Sequence, residues 1–142
     1  MKKLIFSIMM ASVLMACNQN GTTNTAATTT TTSNANAPVI KFEKESFDFG
    51  KIKQGDKVSY AYKFTNTGKS PLIIKSAIAT CGCTTPEWKP KTPVLPGQGG
   101  VILVTFNSAG KTGLQDKQIT VTANTNPAQS MVHLIGEVLT KQ

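Results

Sequence analysis

Cys81 and Cys83, with Gly82 between them, carry the most reactive chemistry in the sequence. A disulfide needs its Cα atoms within about 6.8 Å, roughly the span of two residues of bent chain, and glycine tolerates the bend. An oxidising compartment would close such a pair. The loop is so short that its entropic contribution to stability is small. The same residues also fit two small side chains packed inert in a core. As a redox site the spacing is wrong, because thioredoxin-type pairs have two intervening residues and a helix N-terminus that lowers a thiol pKa. As a metal site, two thiolates fall short of the four ligands that zinc takes. Met131 and His133, the sole histidine, stand two residues apart and so share one face of a strand. Cys81, Cys83, Met131 and His133 would together form a soft donor set suited to Cu(I), provided two distant strands meet.

The other motifs are structural by their spacing. Ala109-Gly110-Lys111-Thr112 imitates the end of a phosphate-binding loop, yet Thr105 stands where the motif needs its first glycine. A strand pattern also follows where that motif needs a helix. Gly97-Gln98-Gly99-Gly100 reads as a loop between strands. Asp48, between Phe47 and Phe49, is expected to accept a hydrogen bond from a turn. A Ser-His-Asp set would have to be built on His133, and nothing marks a nucleophile. Trp88, among Pro86, Lys89 and Pro90, is expected to cover one end of the fold; exposed, it would stack on a sugar or a peptide. The residues assign no catalytic role, resident metal or cofactor, so the chain reads as non-enzymatic.

The elements that must position these residues are strands. Residues 58–64 alternate with a period of two, which puts Val58, Tyr60, Tyr62 and Phe64 on one buried face. Residues 39–42, 47–49, 72–79 and 101–106 make further apolar runs. Residues 117–123 bury Ile119, Val121 and Ala123, and residues 131–139 bury Val132, Leu134 and Val138. Between them lie Gly, Pro, Asn and Asp turns. Gly68 and Gly97 are expected at positive φ, which glycine adopts cheaply, and Pro71 and Pro96 at strand ends. About seven short strands at spacings of roughly 8 to 15 residues, without a helical period, predict an all-β, antiparallel β-sandwich. A small barrel is the alternative closure.

Several of these residues also recur in a familiar order. Phe47-Asp48-Phe49-Gly50-Lys51-Ile52, then Gly55, Phe64-Thr65-Asn66-Thr67-Gly68, Pro71-Leu72, Cys81-Gly82-Cys83-Thr84, Leu95-Pro96-Gly97 and Gly136 follow one another along the chain. This resembles the bacterial extracytoplasmic family called domain of unknown function 1573. The resemblance implies an immunoglobulin-like sandwich of the Hydin-like or major-sperm-protein-like kind, and it supplies no reaction.

The first residues supply an address. Lys2 and Lys3 precede an apolar run over residues 4–16, too short for a hydrocarbon core of about 30 Å and suited to a secretory signal. The run ends in Leu14-Met15-Ala16-Cys17, which resembles a bacterial lipobox and implies lipidation at Cys17. Losing Lys2 and Lys3 lowers the formal charge from +8 to +6. Every basic residue other than His133 is lysine, and base readout leans on arginine, so nucleic acid is not an expected partner. Residues 18–38 hold no charge and no large apolar side chain, and include five threonines from Thr28 to Thr32. Such a stretch cannot offset its own ordering entropy and reads as a tether spanning about 25 Å.

The organisation expected is therefore a signal peptide at 1–16, a lipidated cysteine and tether at 17–38, and an immunoglobulin-like β-sandwich at 39–142. Asn18, in place of the aspartate that retains lipoproteins at the inner membrane, favours an outer membrane and its periplasmic face. The function expected is a membrane-anchored binding or scaffolding module for an envelope protein or polysaccharide. Copper handling or thiol redox chemistry at Cys81 and Cys83 is the alternative.

Overall fold

The computed structural model describes residues 36–140. The signal, Cys17 and the tether up to residue 35 lie outside the described residues. Those described form eight strands: β1 (Ile40–Phe42), β2 (Ser46–Lys53), β3 (Lys57–Asn66), β4 (Ile74–Ala79), β5 (Thr84–Lys89), β6 (Gly99–Asn107), β7 (Gly113–Ala123) and β8 (Gln129–Leu139). They make two four-stranded sheets, ordered β1-β3-β6-β5 and β2-β8-β7-β4. The fold is the expected all-β, immunoglobulin-like sandwich, with two departures. β5 is an additional strand, and β2 runs parallel to β8 in an otherwise antiparallel arrangement. The chain enters the first sheet as β1, crosses at residues 43–45 and continues in the second sheet as β2, so one N-terminal stretch serves both layers.

The period-two pattern fixes the core. Tyr62 and Phe64 from β3, Ile102, Val104 and Phe106 from β6, Ile119 and Val121 from β7, and Val132, Leu134 and Val138 from β8 are almost wholly removed from water. At about 1.5–3 kcal/mol for each fully buried aliphatic or aromatic side chain, this two-sided burial is the main force holding the sheets together. Phe47 stacks on Tyr60 at 3.7 Å between ring centroids, extending the core to the β2 edge. The Tyr62 hydroxyl crosses the interior and donates to the His133 carbonyl of the facing sheet at 2.7 Å. Gly136 points inward, where a Cβ would collide with the Phe49 ring.

Two turns differ from expectation. Gly97 has the expected positive φ of 78°. Gly68 does not; it is needed because a Cβ there would strike the Ala37 carbonyl oxygen. Leu72 lies outside β4 and bridges to Val94 in a loop. Asn66, the first residue of the Asn-Thr-Gly turn, is fully buried and organises this end of the sandwich. Its Nδ2 donates to the carbonyls of Ser70 (2.8 Å) and Val94 (2.9 Å), while its Oδ1 accepts from the N–H groups of Gly68 (3.0 Å) and Val39 (3.3 Å). At the opposite end buried Ser108 Oγ shares its one proton between the carbonyls of Asp56 (2.8 Å) and Lys53 (3.1 Å) and accepts from Gly55 N–H. The loops that carry Gly68 and Gly55 are thus each pinned by one buried polar side chain, whose own polar atoms are satisfied in return.

The sheet edges are closed to further strands. Asn107 N–H donates to the Cys83 carbonyl at 2.9 Å, so ladder bonds along β5 recur at every second residue, Thr85, Glu87 and Lys89. Pro86 then falls where its nitrogen faces away from β6, the position an edge strand tolerates. β1 has three residues, β2 carries a bulge between Asp48 and Lys51, and β4 carries one between Ile74 and Ser76. All three devices discourage edge pairing.

Candidate functional site

The Cys81 and Cys83 sulfurs lie at bonding distance with Cα atoms 5.3 Å apart, the geometry of a disulfide. They occupy the short crossover that carries the chain from β4 in the second sheet to β5 in the first. Thr84 N–H donates to the Cys81 carbonyl at 3.2 Å, and the Thr84 hydroxyl lies 3.6 Å and 3.9 Å from the two sulfurs. Both cysteines are half-buried.

Met131 and His133 do share one face of β8, as their spacing requires, and that face points outward. Each has a neighbour on β7: the Gln118 amide contacts the Met131 sulfur, and His133 Nδ1 meets Asp116 Oδ1 at 2.9 Å. The two sulfurs and the Met131–His133 pair are not drawn together. β7 lies between β8 and β4, so about 10 Å of sheet separates Met131 from the strand leading to Cys81. Among the described residues no three His, Cys, Asp or Glu side chains are gathered to hold a metal. Trp88 is half-buried against the core, and Lys91 Nζ sits 3.2 Å from its ring centroid, a cation–π contact that covers an exposed ring face. Asp48 Oδ1 accepts from Gly50 N–H at 2.7 Å, the turn role its setting suggests. The lysine of the Ala109–Thr112 motif lies in the β6–β7 turn, where its N–H donates to the Ser108 carbonyl.

A different surface stands out. On the outer face of the β2-β8-β7-β4 sheet, Leu114 is 86% exposed and Ile78 64%, and Met131, Ile135 and Leu139 are also open to solvent. Cross-strand register places Leu114 opposite Glu137 and Ile135 opposite Asp116. Apolar side chains thus alternate with acids there, and Lys51 pairs with Glu137 at 3.2 Å at the β2 border. The outer face of the β1-β3-β6-β5 sheet has another character. Its outward positions carry Lys41, Lys57, Lys63 and Lys89 against Glu87. Glu87, Lys89, Val101 and Leu103 line a shallow hollow of about 210 Å³. The sequence reading missed both faces, although the signal was present: Leu114, Ile135 and Leu139 are out of phase with the buried residues of their own strands.

Two ionisable groups inside the sandwich are perturbed. Burial pushes the Tyr62 phenol well above its ordinary value, with smaller contributions from Tyr60 and Asp116. Lys117 points into the sandwich, 5.4 Å from the Phe106 ring centroid. Its ammonium is held below the usual range, chiefly by burial and then by Lys111, against the opposing pull of Asp116.

The architecture is shared with solved structures at low identity. A protein of unknown function from Porphyromonas gingivalis W83 matches with a TM-score of 0.63 and 17% identity, over 72% of this chain and 48% of that one. The present chain therefore spans about half the length of that relative. The ASH/PapD-like domain 7 of human CEP192 matches with a TM-score of 0.58 and 11% identity, over 94% and 99% of the two chains. The VesB protease of Vibrio cholerae matches with a TM-score of 0.54 and 12% identity, over 75% of this chain and 33% of that one. At such identities the likeness is one of fold. No curated protein matches the chain. The sequence model of the bacterial family described as a protein of unknown function, DUF1573, matches residues 40–138, nearly the whole sandwich, and the chain belongs to that family.

Proposed function

We propose that the chain is a membrane-anchored lipoprotein of the cell envelope, holding a non-enzymatic β-sandwich away from the lipid as a binding or scaffolding module. The single observation that carries the binding role is the outer face of the β2-β8-β7-β4 sheet. It leaves Ile78, Leu114, Met131, Ile135 and Leu139 in water on a rigid layer, beside sheet edges that are blocked. Clustered exposed apolar side chains ringed by polar residues mark interaction surfaces. The anchoring half rests on the basic, apolar and Leu-Met-Ala-Cys segments that end at Cys17. Growth with a labelled fatty acid should label the wild-type chain at Cys17 and leave Cys17→Ser unlabelled and released from the membrane fraction. Crosslinking in the native envelope should recover a discrete assembly. Recovery of the chain from the cytosol with Met1 intact would overturn the anchoring, and a chain that crosslinks to nothing would overturn the binding role.

The half-buried Cys81–Cys83 pair, placed at a crossover instead of inside the core, favours thiol chemistry as the second reading. Thiol counts before and after reduction, followed by intact mass after Cu(I) loading, separate the two. Stoichiometric copper that disappears in Cys83→Ser would replace the first reading with the second.

A further inference from the structure

The two outer faces of the sandwich are complementary to each other. On the second sheet Leu114 projects furthest of the exposed apolar side chains and is flanked by acids, Glu137 directly across on β8 and Asp116 two residues along β7. On the first sheet the hollow is floored by Val101 and Leu103. Register sets Lys63 on one side of Val101 and Lys89 on the other, each one strand away, about 4.8 Å. An apolar knob between two carboxylates, with Lys51 beyond Glu137, thus has its counterpart in an apolar socket between two ammonium groups, with Glu87 at its Leu103 end. The 210 Å³ of the hollow has room for one branched aliphatic side chain. The first face stacked on its own copy would do worse, because its four lysines outnumber its one glutamate, Glu87, and would meet the same excess of positive charge.

We infer that copies of this chain associate head to tail, the Leu114 knob of one copy seated in the Val101–Leu103 hollow of the next. This rests on the reading of the domain as a binding module and names its partner. Because knob and socket lie on opposite sides of one sandwich, the contact does not close on itself. It repeats in one direction, as heterologous interfaces do. The product is an open row of sandwiches, which gives the scaffolding role a physical form. The acid–lysine contacts at the border set orientation and are weakened by salt.

The test uses the full chain in its native envelope, with a carbodiimide that joins carboxylates to amines in direct contact. The expected result is a ladder of multimers containing isopeptides from Asp116 or Glu137 to Lys63 or Lys89, residues that cannot meet within one copy. Leu114→Lys or Leu103→Lys alone should lower the yield about ten-fold, the equivalent of one buried leucine. Co-expressing the two variants should restore dimers and nothing longer, because one intact knob and one intact socket remain. If Leu103→Lys proves unfolded by melting, Lys89→Glu replaces it, with rescue by Glu137→Lys in the same chain. A ladder that survives these changes, or isopeptides joining other residues, overturns this contact. Adducts only to a different protein or to an envelope polymer overturn self-association and leave the binding reading standing. The absence of any adduct from either face overturns both.

Discussion

Asn66 shows how much one side chain can carry. Four backbone groups from three segments converge on its amide in a site without water access. Asn66→Ala strands those groups and should cost about 3 kcal/mol, measured by urea unfolding. The sequence marks this residue only as the start of a turn, because hydrogen bonds to Val39 and Val94 depend on chain brought in from far away. The Cys-Gly-Cys unit is legible for the opposite reason, since its closure needs only two neighbouring residues. Tyr62 has a signature of its own. Its phenol titrates near pH 10 in the unfolded chain and higher in the folded one. Its contribution is therefore complete below about pH 10 and is lost as pH rises further. Tyr62→Phe should flatten that alkaline decline while costing about 1 kcal/mol at neutral pH through the lost bond to the His133 carbonyl. Denaturant midpoints taken between pH 8 and 11 would show both effects.

At the scale of elements, strands with strict alternation were readable to within a residue or two, as β3 and β8 illustrate, whereas β7 begins at Gly113, four residues before the expected 117–123. β5 was not, because Pro86 argues against a strand unless the strand is known to lie at an edge, and edge position is a property of the assembled sheet. The parallel partnership of β2 with the last strand is hidden for the same reason. Pro86 also suggests a use. Pro86→Val restores an N–H that points away from β6, so it should leave unfolding free energy within about 0.5 kcal/mol. It should nonetheless raise light scattering at high protein concentration, through pairing of β5 edges. Unchanged scattering would mean that the short length of β5 already suffices as protection.

At the scale of the molecule, composition and turn spacing were enough to expect a sandwich, because a two-layer core is the usual solution for strands with one apolar face. The outer faces were not anticipated. Leu114 and Glu87 belong to patches assembled across neighbouring strands, and period-two reading separates inside from outside without saying which outside residues become neighbours. The parallel pairing of β2 with β8 has a mechanical consequence. β2 is entered from the N-terminal side and β8 leads to the C-terminus, so the two ends of residues 36–140 leave this pair in opposite directions. Stretching the chain by its ends slides one strand lengthwise along the other and strains their backbone bonds together, instead of opening them singly like a zipper. Pulling on single molecules should therefore meet a high rupture force borne by this pair, lowered by proline at a β2 residue that bonds β8. A domain held by one end against flow or a moving partner would resist in shear.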